Sequence, residues 1–131
     1  MARVLVVDDD AGQLELRCTL LATGGHQVLP AFSPSQAVRQ IASADLVVMD
    51  LRFPNAQGED DAAEGLVLIR RIHEASRVPI IVLSGWPDCL EGQPEAQHIS
   101  RVLVKPISLE ALLQAIAEAL GQEGAAKVAT T

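Results

Sequence analysis

The sequence predicts an α/β fold, in which a parallel sheet is covered by helices on both faces. Short runs of aliphatic and β-branched residues are apolar at consecutive positions, as is typical of strands buried on both sides. Between these runs, apolar residues recur with the spacing of an amphipathic helix. Strands and helices that alternate in this way form a parallel sheet whose right-handed crossovers place helices on both faces.

The strands are predicted from the apolar runs, taken in chain order. The four clear runs are residues 4–7, 46–49, 80–83 and 102–104. A weaker strand is expected over residues 26–29, after two glycines, and Pro30 is expected to end it. Its polar content is typical of a strand at the edge of a sheet. The sequence therefore predicts five strands.

Helices are predicted between and after these strands. The clearest is a single apolar stripe with helical spacing, formed by Leu109, Leu112, Leu113, Ile116 and Leu120. Residues 33–36 combine an N-cap serine, a proline at the first helical position and a capping-box glutamine, so a helix is expected to begin there. Further helices are expected over residues 11–23 and 63–75. Two prolines and a glycine within residues 86–100 predict a short or irregular helix in that segment.

The chain length and the strand count predict the topology. A chain of 131 residues fits one domain. Five strands suit the flavodoxin-like order 2-1-3-4-5, a doubly wound sheet with flanking helices. We expect residues 1–121 to form the domain and residues 122–131 to be a flexible tail. In open sheets of this type the functional site lies beyond the carboxyl ends of the strands.

Charge and composition argue against several classes of function. The net charge of -7, with scattered basic residues, argues against direct nucleic-acid binding. Cys18 and Cys89 are far apart and lack further ligands at zinc spacing, so neither a disulfide framework nor a zinc cluster is expected. The sequence has no apolar run of membrane-spanning length and no signal-peptide pattern. We therefore expect a cytoplasmic protein that does not associate with membranes.

Charged and hydroxyl side chains follow the predicted strands at the edge where the site is expected. They are Asp8, Asp9 and Asp10 after the first strand, Asp50 after the third, Ser84 after the fourth and Lys105 after the fifth. Adjacent strands would crowd Asp8, Asp9 and Asp50 together, which costs Coulomb energy unless a cation lies among them. Mg²⁺ suits this site because it accepts one or two carboxylates, keeps waters and binds phosphoryl oxygens. Asp10 is expected to be a helix cap.

Four motifs at these strand ends resemble the signature of response-regulator receiver domains. They are Val-Val-Asp-Asp-Asp at 6–10, Met-Asp-Leu-Arg-Phe-Pro at 49–54, Leu-Ser-Gly at 83–85 and Val-Lys-Pro at 104–106. Each motif alone is weak, but together they span nearly the whole chain in the order and spacing of the family. The resemblance implies that residues 1–121 are a receiver domain of the chemotaxis type, which acts in two-component signalling.

The resemblance also implies roles for the site residues. Asp50 would accept a phosphoryl group, Ser84 would bond a phosphoryl oxygen, and Lys105 would pair with the phosphoryl group. Chemistry agrees with these roles, because a carboxylate attacks an anionic phosphodonor only when nearby cations neutralise the incoming charge. The added charge and acceptor atoms would then draw in the Ser84 hydroxyl and reposition its loop.

A metal set follows from the same resemblance. Asp9 and Asp50 would bind Mg²⁺ or Mn²⁺ directly, and Asp8 would be either a ligand or an acid that acts through water. The main-chain carbonyl of Arg52 would complete the protein ligands. The resemblance further implies that the Lys105–Pro106 peptide bond is cis, which would aim the Lys105 ammonium into the cleft.

The partners implied are a sensor histidine kinase or a phosphotransfer protein, together with a downstream protein target or an output domain outside this sequence. The protein would be a monomer or a weak dimer. It would not be an enzyme, except that it would catalyse its own phosphorylation and dephosphorylation.

Three features depart from the family pattern. Residues 55–64 form a longer and more acidic loop than usual, read either as a solvated loop or as a segment that selects partners or modulates the metal. Val102 stands where many receivers carry an aromatic residue that moves inward on activation. Trp86 and Arg52 lie beside positions that, in this family, tune how fast water attacks the phosphoaspartate.

Other functions fit the sequence less well. The altered residue at 102 would suit a receiver-like interaction module that works without phosphorylation, but the retained acids, Ser84 and Lys105 argue against it. A dehalogenase-type phosphatase would need an acid where Arg52 stands, and also a cap domain. A flavodoxin would need a hydroxyl-rich phosphate loop and more aromatic residues than the three present.

Overall fold

The computed structural model of the protein describes residues 2–54, 57–85 and 90–121. Its strands are β1 (Arg3–Val7), β2 (Gln27–Ala31), β3 (Leu46–Asp50), β4 (Phe53–Pro54), β5 (Asp60–Asp61), β6 (Ile80–Ser84) and β7 (Arg101–Val104). Its α-helices are α1 (Ala11–Thr23), α2 (Pro34–Gln40), α3 (Ala63–Ala75) and α4 (Leu109–Ala119). Within the described residues, 3₁₀ helices cover Ile41–Ser43 and Pro94–His98.

Five strands form the main sheet, and each pair is parallel. Their order is β2-β1-β3-β6-β7, which is the predicted order 2-1-3-4-5 because β4 and β5 pair with each other outside this sheet. The predicted α/β class and doubly wound topology are therefore confirmed. The central strands β1, β3 and β6 are buried along nearly their whole length, as their uninterrupted apolar runs predict.

Alternation along each strand divides the core into two layers. In β1, Leu5 and Val7 face one layer, which also contains residues of α2 and α3. Val4 and Val6 face the opposite layer, which contains residues of α1 and α4. Because successive strand residues point to opposite faces, one run of apolar residues supplies both layers.

The helices begin where local sequence provides a cap. The Asp10 side chain accepts a hydrogen bond from the backbone N–H of Gln13 at 3.0 Å, so Asp10 caps α1 as predicted. Ser33 similarly accepts from the N–H of Gln36 at 3.3 Å and caps α2. These caps fix the points at which the chain leaves the carboxyl end of β1 and of β2.

Pro30 does not end the edge strand, and this prediction was wrong. Strand β2 continues through Pro30 to Ala31, and Pro30 lies opposite Val6. The Pro30 carbonyl accepts a hydrogen bond from the side chain of Gln40 at 2.9 Å, so its backbone points away from β1. At such a position on an edge strand, a residue without an N–H removes no hydrogen bond from the sheet.

The acidic segment after β3, predicted as a loop over residues 55–64, contains a small antiparallel pair of strands, β4 and β5. Helix α3 covers Ala63–Ala75, which confirms the helix predicted over residues 63–75. Residues 55 and 56 lie outside the described part of the chain.

In the predicted irregular segment 86–100, a 3₁₀ helix covers Pro94–His98, and residues 86–89 are also outside the description.

The predicted tail, residues 122–131, lies outside the described residues. Among those that are described, no helix combines the length and the apolar character needed to cross a bilayer.

Cys18 is a free, half-buried thiol on α1, and burial raises its pKa.

Candidate functional site

The predicted site residues lie at the carboxyl end of the sheet. Asp8 follows β1, Asp50 ends β3, Ser84 ends β6 and Lys105 follows β7. Strand pairing sets Val7 beside Met49, Asp50 beside Leu83 and Ser84 beside Val104, so the four strand ends are level with one another. The topology thus brings together residues that are up to 97 positions apart in sequence, from Asp8 to Lys105.

A cavity of about 710 Å³ opens at this edge of the sheet. Its lining includes five of the six predicted site residues: Asp8, Asp9, Asp50, Arg52 and Lys105. The sixth, Ser84, is 1% exposed and does not line the cavity, where its neighbours Leu83 and Gly85 do. The acids and the lysine therefore surround one cavity, and the Ser84 hydroxyl is buried behind the residues that line it.

Asp50 and Lys105 form a close ion pair. The Lys105 Nζ atom lies 2.7 Å from the Asp50 Oδ2 atom, a short charge-assisted hydrogen bond. The Asp50 side chain is 14% exposed and that of Lys105 is 37% exposed, so the pair lies at the cavity mouth. The Lys105–Pro106 peptide bond is cis, as predicted.

Asp8 is the most deeply buried acid of the site, and both of its oxygen atoms have partners. Its side chain is 2% exposed. The Oδ1 atom accepts a hydrogen bond from the backbone N–H of Asp10 at 2.9 Å. The Oδ2 atom accepts one from Arg17 Nη1 at 2.8 Å. A buried carboxylate requires such partners, because an unpaired charge out of water is very costly.

Arg17 is the site residue that the sequence analysis missed. It lies on α1, lines the cavity and is 13% exposed. A signal was present: Gln13 and Arg17 are four residues apart and so share one face of the helix that begins beside the acids. In sequence, Arg17 lies between Leu14 and Leu21, the buried residues of α1. A charged residue at such a position indicates a partner of opposite charge nearby.

The donor atoms suit a hard divalent cation. Asp9 is exposed, Arg52 is half-buried, and both line the cavity with Asp50. Mg²⁺ typically binds through one or two carboxylates and retains waters, and such a donor set is available here. Within residues 2–54, 57–85 and 90–121, no three acidic, histidine or cysteine side chains are arranged to enclose a metal by themselves. Since both oxygens of Asp8 are engaged, its present geometry favours an indirect role over direct ligation.

The chain after Asp50 is held in place by close packing against α3. A Cβ atom added to Gly65 would lie 2.0 Å from the carbonyl oxygen of Leu51, far inside any real contact distance. Leu51 and Phe53 are themselves buried. Gly65 therefore allows the first turn of α3 to contact the backbone beside Asp50, which positions that loop.

The three histidines lie away from the site, and each is half-buried. The rings of His73 on α3 and His98 stack with centroids 3.7 Å apart. Partial burial, followed by the charges of His98 and Arg77, lowers the pKa of His73, and Glu74 opposes this shift. Both rings precede strands and so lie toward the amino end of the sheet, opposite the cavity.

Comparisons with known proteins agree with this architecture. The family model "Response regulator receiver domain" matches residues 4–117. The transcriptional regulatory protein GlrR of Escherichia coli is 33% identical over 95% of this chain, and the match covers 28% of GlrR. The regulatory protein VirG of Agrobacterium tumefaciens is 32% identical over 92% of this chain and 44% of VirG. This chain thus spans less than half the length of these relatives.

Solved structures show the same fold at lower identity. A receiver domain from Clostridium thermocellum superimposes with a TM-score of 0.79 at 24% identity, covering 95% of this chain and 98% of that one. The response regulator TrrA of Thermotoga maritima, solved in complex with Mg²⁺ and BeF, gives a TM-score of 0.75 at 24% identity, covering 91% and 99%.

Proposed function

Because the chain belongs to the response regulator receiver domain family of two-component systems, we propose that it is switched by phosphorylation of Asp50. The cavity at the carboxyl end of the sheet would bind a divalent cation and receive the phosphodonor. The observation that carries this proposal is the 2.7 Å contact between Lys105 Nζ and Asp50 Oδ2, beside the acids that follow β1. The Asp50 carboxylate, the Lys105 ammonium and further carboxylates lie around one open space, which supports the proposal.

Asp50 is the nucleophile in this proposal. One of its carboxylate oxygens forms a bond to the phosphorus atom of an anionic donor, and the leaving group departs with the electron pair of the bond that breaks. The Lys105 ammonium offsets the negative charge of the phosphodonor and can then pair with the transferred phosphoryl oxygens. Lys105 already contacts Asp50, so only a small movement is needed for this exchange.

Mg²⁺, or Mn²⁺, would be held by Asp9, Asp50 and the main-chain carbonyl of Arg52, with Asp8 beside them. When bound, the ion supplies positive charge that stabilises the phosphoryl oxygens during transfer. The complex of TrrA with Mg²⁺ and BeF supports the assignment by analogy, since that structure has the same fold. The protein's own part is to hold Asp50 and the surrounding acids around one cavity.

Ser84 would report the modification to the rest of the domain. Its side chain is buried at the end of β6, next to the strand that carries Asp50. A phosphoryl group adds negative charge and three strong acceptor oxygens, toward which the Ser84 hydroxyl can donate a hydrogen bond. Because Ser84 lies beneath the cavity wall, this bond requires a shift of β6 or of the loop after it, and that shift would be the switch.

The partners follow from the family and remain part of the proposal. A sensor histidine kinase or a phosphotransfer protein would supply the phosphoryl group, and the altered surface would bind a protein target or an output domain. The relative CqsS of Vibrio cholerae, a sensor kinase/phosphatase, matches this chain over 17% of its own length at 32% identity. Receiver modules of this kind therefore occur within larger signalling proteins.

Intact-protein mass spectrometry after incubation with a small acyl phosphate and Mg²⁺ tests the proposal. The wild type should gain one phosphoryl group, which is lost at alkaline pH because acyl phosphates hydrolyse readily. Asp50→Asn should gain none, whereas the matched variant Asp45→Asn, which alters an exposed acid, should be labelled normally. Absence of an adduct on the wild type, or equal labelling of Asp50→Asn, would favour the phosphorylation-independent interaction module instead.

A further inference from the structure

Arg17 brings a cation from α1 into the acidic site, and the proposed phosphotransfer chemistry leaves this residue without a role. We propose that Arg17 is the protein's own counter-cation for Asp8 and competes with the divalent metal ion, so that it sets the metal affinity of the site. This inference rests on the proposed function, because it concerns the metal that phosphorylation of Asp50 would need.

The geometry makes Arg17 the partner on which Asp8 depends. The Oδ2 atom of Asp8 lies 2.8 Å from Arg17 Nη1, and the Oδ1 atom accepts the N–H of Asp10. With side chains 2% and 13% exposed, the Asp8–Arg17 pair is the most buried ion pair described in the structure. Charges with so little exposure to water must be neutralised by other groups of the protein.

A divalent cation would compete for the same negative charge. A metal near Asp8 would lie close to the Arg17 guanidinium, and two cations at such a short distance repel each other. Either Arg17 leaves Asp8 when the metal binds, or the metal binds without the full benefit of the Asp8 charge. Both routes weaken metal binding relative to a site without this arginine.

Thermodynamic linkage makes the effect reciprocal. If Arg17 weakens metal binding, then bound metal must weaken the Arg17–Asp8 contact by the same factor. Metal binding would therefore loosen α1 from the site, because this ion pair joins the helix to the loop after β1. The metal would act on a helix as well as on Asp50.

The test is isothermal titration calorimetry with MgCl₂ on the purified protein and its variants. Arg17→Gln removes the charge but keeps a hydrogen-bond donor for Asp8, so it preserves more of the fold than an apolar replacement. Its dissociation constant for Mg²⁺ should fall by at least about fivefold, within the usual range of couplings between sites. Arg17→Lys retains the charge and should bind Mg²⁺ with nearly wild-type affinity.

A matched arginine controls for net charge. Arg3→Gln removes the same charge at the opposite end of β1, where Arg3 pairs with the exposed Asp45, and it should leave Mg²⁺ affinity unchanged. Equal or weaker Mg²⁺ binding by Arg17→Gln would overturn the inference while leaving the proposed function intact. Absence of Mg²⁺ binding by the wild type and Arg17→Gln alike would contradict both.

Discussion

The two ends of the main sheet both carry ion pairs, but the pairs differ sharply in burial. At the amino end, the side chains of Arg3 and Asp45 are 51% and 45% exposed. At the carboxyl end, those of Arg17 and Asp8 are 13% and 2% exposed. Water screens the first pair, so it contributes little. The second pair neutralises charge that is largely shielded from solvent, so the same kind of contact becomes a requirement of the site.

The largest effect should follow from breaking the buried pair. Arg17→Met leaves Asp8 charged and buried without its cation, which should lower the free energy of unfolding by about 3 kcal/mol. Urea unfolding followed by circular dichroism, without divalent cations, measures this loss. Adding Asp8→Asn to Arg17→Met should restore part of the stability, since it removes the unpaired charge. A double variant less stable than Arg17→Met would contradict this explanation.

The packing of α3 beside Asp50 should give the next largest effect. Gly65→Ala forces a methyl group against the Leu51 carbonyl and should cost about 2 kcal/mol, through displacement of the loop or the helix. Gly12→Ala is the matched control, because Gly12 also lies in the first turn of a helix and a Cβ there would be 3.4 Å from the Asp10 side chain, an ordinary contact. Equal stability of the two variants in thermal unfolding would show that the close approach is not rigid.

At the amino end, the effect of losing an ion pair should be small. Arg3→Met should lower the free energy of unfolding by less than about 1 kcal/mol, because its partner Asp45 remains in contact with water. The same urea titration measures this difference. A loss as large as that of Arg17→Met would erase the contrast between the two ends of the sheet.

The smallest expected effect concerns pH and also belongs to the amino end. The folded environment lowers the pKa of His73, so the unfolded chain binds the proton more readily. Stability is therefore fully present above the unfolded pKa of about 6.5 and should decline as the pH falls through it. In unfolding measurements across this range, His73→Gln should show a weaker decline than the wild type. A steeper decline, or none in the wild type, would contradict the direction of the shift.

Much of the fold follows from the sequence, because local pattern and topology agree. Apolar runs predicted the strands of the main sheet, and Asp10 and Ser33 predicted where two helices begin. Errors arose where tertiary context overrides a local rule. A proline usually ends a strand. At the edge of this sheet the backbone of Pro30 faces away from β1, so the strand continues.

The strand-end residues of the candidate site could be predicted from the topology, whereas a site residue on a helix could not. In a parallel sheet, residues at strand ends converge whatever lies between them, so the positions of Asp50 and Lys105 follow from the topology. Arg17 lies on a helix, and its contact with Asp8 depends on the orientation of α1 and on a long flexible side chain. The positions of the strand ends do not predict such a residue. Its spacing of four residues from Gln13 does indicate that it shares the helix face that begins beside the acids.

Chemical mapping of the modified residue tests directly whether Asp50 accepts the phosphoryl group. Protein treated with a small acyl phosphate and Mg²⁺ is reduced with borohydride, which converts an aspartyl phosphate to homoserine, and the product is mapped by peptide mass spectrometry. The structure pairs Asp50 with Lys105 at the open cavity, so homoserine should replace Asp50 and no other acid. Conversion at Asp8 or Asp9 in place of Asp50, or no conversion at any aspartate, would contradict phosphorylation of Asp50.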